Sequence, residues 1–326
     1  MTLPAIAQSA LVAEGIALHD AGKYDEAIVK FKAALEASPQ DDLASYELGL
    51  TYFAKRDYAA CITTMQAGAA RKGRYQPAFL AILGNCLDES GDREGAIRAY
   101  RRGLKTAPED TQLLYNLAVS LIGKGERQEA KKLLKKELAI EPNHGSGHFA
   151  LATMFLEEKF RGPALLQYLR FLAVEPTGPR AKVAAERVVA LLGAGISMQE
   201  GGDVTITIDP NPRKEEGDFS GWEMTLGIVG AAQNLPENAQ LNEFEKRRKN
   251  VVSALQILVE LEPKGRSFVH KETVPFFSAA AKEDLLETLG GIAIVSLELK
   301  GTQQWLEAHK ADLTKFGLFL ESRSKR

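Results

Sequence analysis

Cysteine, long apolar runs and a surplus of charge of either sign are scarce in this sequence, and each scarcity removes a class of protein. Only two cysteines, Cys61 and Cys86, occur in 326 residues. Two cannot build the framework that staples small secreted domains, and no Cys-x-x-Cys is present. Both fall within apolar helical patterns, where they are expected to be separate, small buried residues, and free buried thiols fit a reducing compartment. No run of roughly 18 or more apolar residues exists, so no membrane-spanning helix is expected. The formal net charge is −2, with 22 basic and 22 acidic side chains in residues 1–178 and 19 and 21 in residues 179–326. Bulk charge therefore points to neither nucleic acid nor a membrane surface. At 45% apolar and 26% charged, the composition is that of a soluble globular protein with a sizeable core.

The N-terminus lacks a basic region followed by an apolar core and so does not read as an intact signal peptide. The stretch Pro4-Ala5-Ile6-Ala7-Gln8 does have the small-x-small look of a cleavage site. A cytoplasmic location is expected, and a periplasmic or exported one if that stretch is what remains of a trimmed leader.

What the sequence does contain is self-similarity. Gly15, Gly49, Gly84, Ala118 and Ala152 are spaced by 34, 35, 34 and 34 residues, each within an apolar helical pattern. Pro39, Pro108, Pro142 and Pro176 close units, because proline cannot donate the next helical hydrogen bond. Turn residues divide each unit: Gly22, Gly91-Asp92 and Gly125 in three of them, Arg56-Asp57 and Lys159-Phe160 in the second and fifth. The small residue of the first helix lets the second approach closely, Ala27, Ala96, Ala130 and Ala164 accept that contact, and Phe31, Tyr100, Leu134 and Tyr168 fill the gap to the next unit. One helix pair cannot bury its apolar face alone, so such units stack.

The third unit, with Leu83-Gly84, Leu87, Gly91-Asp92, Ala96, Tyr100, Leu104 and Pro108, closely resembles the tetratricopeptide repeat, and five such units cover residues 8–178. The second departs most, with Cys61 at a small-residue position and Met65 at an aromatic one. The resemblance implies a helix-turn-helix superhelix over residues 1–178; a capping helix and linker over 179–202 and a second, mainly helical domain over 203–326 with at most a short β segment are read from the residues themselves, so the chain is expected to be mostly all-α. The resemblance also implies that first helices line a concave groove, here through Tyr46, Leu50, Phe53, Asn85, Tyr115, Asn116, Val119, Ile122, Phe149, Thr153 and Leu156. Asn85 and Asn116 match positions at which family members hold a peptide backbone through a side-chain amide, which both donates and accepts. The clamp that some members use for a C-terminal carboxylate is not expected, because its basic positions hold Ala81, Ser146 and Ala150. Either a foreign peptide or the chain's own C-terminal half would occupy the groove.

On the outer face, Arg98, Arg101, Arg102 and Lys105, with Lys131, Lys132, Lys135 and Lys136 on the next second helix, form a basic stripe. A solvated face is the plain reading and an acidic partner the sharper one; no aromatic residue interleaves it, so nucleic acid is not expected. The fifth unit instead carries Leu165, Leu166, Leu169 and Ala173 outward, which predicts that the following helix and the C-terminal domain pack there.

Beyond the repeats, Val204–Ile208 alternates like a short strand or extended linker, and Asp209-Pro210-Asn211-Pro212 reads as a loop. Helices are predicted from an Asp218-Phe219-Ser220 cap to about Gln233, from Asn242 to Leu261, from a Thr302 cap, and from about Ala311 to Ser322. Gly290-Gly291 is expected to break the apolar stretch 274–300, and Ile292–Leu299 fits helix or strand. The cluster Lys246-Arg247-Arg248-Lys249 reads as a solvated helix face.

Signs of catalysis are few. His144 and His148 have a metal-ligand spacing, but no carboxylate or cysteine nearby in sequence completes a set, so both are expected to be structural. No nucleophile elbow, phosphate-binding Gly-rich loop or His-Glu-x-x-His occurs. No catalytic residue, metal or cofactor is expected. The leading expectation is a scaffold or adaptor that binds a peptide or helix of a protein partner. Two alternatives stay open: an enzyme or ligand-binding domain in residues 203–326 with the repeats as a targeting arm, or self-assembly through the repeats.

Overall fold

The computed structural model describes residues 5–198, 204–206, 215–232, 236–263 and 265–324. The chain forms two compact units, residues 1–133 and 134–326. The first holds α1 (Ala5–Asp20), α2 (Tyr24–Ala37), α3 (Asp42–Ala54), α4 (Tyr58–Ala70), α5 (Gln76–Glu89), α6 (Arg93–Leu104), α7 (Thr111–Lys124) and the start of α8 (Arg127–Ile140). Aspartates start four of these helices: Asp41, Asp57, Asp92 and Asp110 each accept the backbone N–H three residues on, at 2.8–3.1 Å.

Small-against-large packing sets the distance between the helices of a pair. Phe31, Met65 and Tyr100 are buried. A Cβ built on Gly84 would lie 2.2 Å from Cε1 of Tyr100, and one on Gly15 would lie 2.6 Å from Cε1 of Phe31. Stacking of α5 on α4 also corrects the reading of the cysteines as separate thiols. Cys61 and Cys86 face each other in the core with Cα atoms 6.3 Å apart and are joined in a disulfide.

Each turn between paired helices needs one left-handed residue. Gly22, Gly91 and Gly125 supply it at φ of 73, 93 and 88°. In the second and fifth pairs Arg56 and Lys159 take the same conformation, both at φ 64°. A side chain there costs roughly 1 kcal/mol relative to glycine. Arg56→Gly and Lys159→Gly are each expected to raise stability by up to about 1 kcal/mol, read as a higher urea midpoint at unchanged slope.

The second unit contains the rest of α8, α9 (Gly145–Glu157), α10 (Arg161–Val174), α11 (Pro179–Gly193), β1 (Ile196–Met198) and β2 (Val204–Ile206). Then follow α12 (Ser220–Ala232), α13 (Glu243–Leu261), a π-turn at Val269–Thr273, α14 (Val274–Lys282), α15 (Leu286–Ile292), α16 (Thr302–Ala308) and α17 (Lys310–Ser322). The strands pair antiparallel, Ile196 opposite Ile206. Asp203, Thr207, Ile208, the 209–212 loop, Gln233 and Pro4 lie outside the described residues. Leu165, Leu166, Leu169 and Ala173 are buried, and α10 touches α9, α11, α12 and α15. Trp222 on α12 is buried and donates through Nε1 to the Ala254 carbonyl of α13 at 2.8 Å.

Two expectations fail in this unit. Gly290 and Gly291 lie within α15 and do not break it. A Cβ on Gly291 would lie 2.1 Å from Cζ2 of Trp305, so this glycine is there for close packing. Thr302 begins α16 but makes no cap bond; Gly301, at φ 104°, holds the cap position. The stretch from Ile292 onward ends α15 and then forms a 3-10 turn at Val295–Leu297, not a strand.

Candidate peptide-binding surface

In the first unit, successive first helices touch one another, α1 with α3, α3 with α5 and α5 with α7, so one surface is built from their side chains. A cavity of about 230 Å³ opens on it, lined by Phe53, Asn85, Asp88, Glu89, Tyr100, Tyr115, Asn116 and Val119. Five of the expected groove residues thus meet in one place. Asn116 Nδ2 donates to Asn85 Oδ1 at 2.9 Å, and Tyr100 Oη donates to the same oxygen at 2.8 Å. Asn85 Oδ1 is therefore committed twice, which turns the Asn85 Nδ2 donor and the Asn116 Oδ1 acceptor into the groups offered to a ligand. Tyr46 and Leu50 flank the site on α3; Tyr46 meets Phe79 edge-on at 6.2 Å, and Leu50 packs against the core. Ile122 lies half-buried on α7.

Three lining residues escaped the sequence reading. Asp88 and Glu89 lie three and four residues beyond Asn85, the spacing that shares a helix face, and this was the signal available. Tyr100 comes from the second helix of the pair. Ser120 donates to Asp88 at 3.0 Å, Arg93 reaches it at 3.4 Å, and Tyr58 donates to Glu89 at 3.3 Å. Burial, then the charges of Asp88 and Glu89, push the Tyr100 phenol well above its ordinary pKa, so it stays a donor.

In the second unit, Phe149 meets Tyr168 at 5.8 Å and Phe171 at 5.0 Å between ring centroids, and Thr153 Oγ1 donates to the Phe149 carbonyl at 2.9 Å. The pair His144 and His148 is split. His144 sits 2.7 Å from Glu137, a carboxylate brought in by the turn between α8 and α9. His148 is buried against Gln167 and the Pro142 carbonyl.

Residues 15–55 match the family described as TPR repeat, and residues 51–176 match the family described as tetratricopeptide repeat. Residues 15–176 are tetratricopeptide repeats. Repeats of this family support protein–protein interaction, and their fold is typically non-enzymatic. Over 90 residues the chain is 28% identical to the BBSome complex member bbs-4 of Caenorhabditis elegans, a match covering 28% of this chain and 20% of that protein. The chain thus spans about a fifth of the curated relative's length. Among solved structures, Pseudomonas aeruginosa pilF matches at 18% identity and TM-score 0.51, over 84% of this chain and 97% of that one. The thermophilic tetratricopeptide protein TTC0263 of Thermus thermophilus matches at 24% identity and TM-score 0.45, over 57% of this chain and 98% of that one. The pilF likeness shows the fold alone, over more of the chain than the repeats occupy. No helix among the described residues is long and apolar enough to cross a membrane.

The basic face of the repeats is largely tied down. Arg101 pairs with Glu129 at 2.8 Å and Glu126 at 3.7 Å, and Arg102 donates to the Ala69 carbonyl at 2.8 Å. Lys135 pairs with Glu216, and Lys131 is only 5% exposed, against its reading as an outward residue. Arg98, Lys105, Lys132 and Lys136 are exposed. Beyond the repeats, a cavity of about 290 Å³ is lined by residues of α11, α12 and α13, where Lys246 and Arg247 each lie 3.7 Å from Glu243. Arg248 pairs with Glu245 and Glu287, and Lys249 donates to Asn238 at 2.9 Å, so the 246–249 cluster is held by partners rather than by water alone.

Proposed function

We propose that the inner repeat surface of the first unit binds an extended peptide segment of a protein partner. The observation that supports this is the pairing of Asn85 and Asn116 inside a cavity walled by Phe53, Tyr115 and Val119. The donor of Asn85 and the acceptor of Asn116 are the groups this bonded pair leaves over, and a peptide group needs one of each, while the aromatic walls suit an anchoring side chain. Asp88 and Glu89 beside them favour a lysine or arginine in the bound segment, and the Coulomb attraction makes the affinity fall as salt rises.

Peptides selected against the whole chain from a random display library test this. Asn85→Ala and Asn116→Ala should each weaken the selected peptides about tenfold in fluorescence anisotropy, the loss of roughly one to two hydrogen bonds. Melting temperatures should stay near the parent's, since both side chains are only partly buried. Unchanged affinity in both variants would place the peptide elsewhere.

A further inference from the structure

The second unit holds a buried arginine that the proposed function does not use. Arg170 on α10 is 3% exposed. Its Nη2 donates to the Pro142 carbonyl and to Asn143 Oδ1 at 3.1 Å, while Nε and Nη1 have no acceptor. No carboxylate forms an ion pair with it among the described residues. The guanidinium is stacked on Phe276, its Cζ 3.6 Å from the ring centroid. Arg170 lines a cavity of about 240 Å³ together with Pro142, Glu272, Pro275, Phe276 and Arg323. Arg323, at the end of α17, is stacked in the same way over Phe319 at 4.5 Å; it reaches Glu283 at 3.5 Å, and its own buried Nε has no acceptor. Glu272 on the wall has an interaction of its own.

Two guanidinium groups thus share one cavity, each fixed by an aromatic ring and each keeping an N–H without an acceptor. Burying a cation against only a carbonyl and an amide is costly, because neither returns a full opposite charge. Burial, and then the charge of Arg323, lower the Arg170 pKa to about 9, so the group is still cationic at neutral pH and repelled by its neighbour. An oxyanion between the two would screen that repulsion and supply the opposite charge that the carbonyl and amide do not. The cavity has room for several non-hydrogen atoms, water occupying about 30 Å³ each in the liquid, and Pro142, Pro275 and Phe276 give it apolar walls.

We propose that this cavity binds a small-molecule oxyanion, a carboxylate or a phosphate, between Arg170 and Arg323. The test uses the full chain labelled with 15N and follows the arginine Nε–Hε signals while inorganic phosphate, and separately benzoate, are titrated in the millimolar range. Saturable movement of the Arg170 and Arg323 signals with either anion is expected. Tighter binding of benzoate assigns the site to a carboxylate on an apolar body, and tighter binding of phosphate assigns it to a phosphate. Arg323→Gln, at the end of a surface helix, should keep the fold and weaken binding about tenfold or more, the effect of one charge-assisted bond. Linear, unsaturated shifts with both anions, or an unchanged midpoint in Arg323→Gln, overturn the proposal. Peptide binding at Asn85 and Asn116 is read separately by anisotropy, so either site can fail without the other.

Discussion

Acidification below pH 6.5 is expected to destabilise the second unit steeply through His148. The imidazole is 3% exposed, and burial, followed by the charge of Arg170, lowers its pKa from 6.5 to about 3. Nε2 faces the Pro142 carbonyl at 2.9 Å and Nδ1 the Gln167 amide at 2.6 Å, while that amide also contacts the Thr273 hydroxyl at 2.7 Å. Gln167 Oε1 faces Nδ1 and its Nε2 donates to Thr273 Oγ1; a neutral ring with the proton on Nε2 satisfies this set once the amide is turned over, its NH2 to Nδ1 and its oxygen to the hydroxyl. Between pH 6.5 and about 3 the unfolded chain binds a proton on this histidine and the folded chain does not. Stability therefore falls as pH falls through that window, by up to about 1.4 kcal/mol per pH unit and on the order of 4–5 kcal/mol in all.

His144 and Glu137 act with the opposite sign. The side-chain contact with Glu137 raises the His144 pKa, and burial raises that of Glu137, so their contributions are present on the acid side and lost as pH rises. Both remain in His148→Gln, so the difference between that variant and the parent isolates His148. Urea unfolding at pH 7, 5.5 and 4.5 should show a distinctly shallower acid slope in His148→Gln. Equal slopes would show that His148 is not the group that resists protonation.

The sequence made the repeats legible because their two periods depend only on local geometry. A small residue every 34 or 35 positions marks where paired helices touch, and a helical period within each unit marks which side chains face inward. The resemblance to the tetratricopeptide repeat that these periods reveal then implied Asn85, Tyr115, Asn116 and Val119. It stopped short of Tyr100, whose hydroxyl enters the site only because the second helix folds back at the pair's turn. The left-handed conformation of Arg56 and Lys159 was legible only by register with Gly22, Gly91 and Gly125; nothing in the two residues themselves asks for it. The bond between Cys61 and Cys86 depends on stacking across 25 positions, which spacing alone does not reveal. In the second unit helix positions and the covering of the apolar face of α10 were readable, and the rest of the packing was not. A glycine pair signals either a break or a close approach, and Gly290-Gly291 proved to be the latter because Trp305 lies against it. Arg170 is buried by Phe276 of α14 and by the turn at Pro142-Asn143, contacts that no local period in the sequence marks.

Fold and site meet at Gly84, which gives the second large expected effect. A Cβ there would stand 2.2 Å from Cε1 and 2.5 Å from Cζ of Tyr100, atoms of a rigid, buried ring. Gly84→Ala must therefore push α6 outward or turn the ring, an overpacking cost of roughly 3 kcal/mol. The same displacement pulls Tyr100 Oη from Asn85 Oδ1, so the amide loses a fixed partner and peptide affinity should fall even where the array stays folded. Replacing the ring separates the two consequences. Tyr100→Leu leaves room for the new methyl, so Gly84→Ala should cost much less in that background, with a coupling of about 1–3 kcal/mol between the two sites. Peptide affinity should stay low in the double variant, because the hydroxyl that orients Asn85 is gone. Chemical denaturation and anisotropy on the four proteins of the cycle measure both. Additive stabilities would mean the glycine is not there to admit the ring, and recovered affinity in the double variant would mean that Tyr100 does not orient the amide.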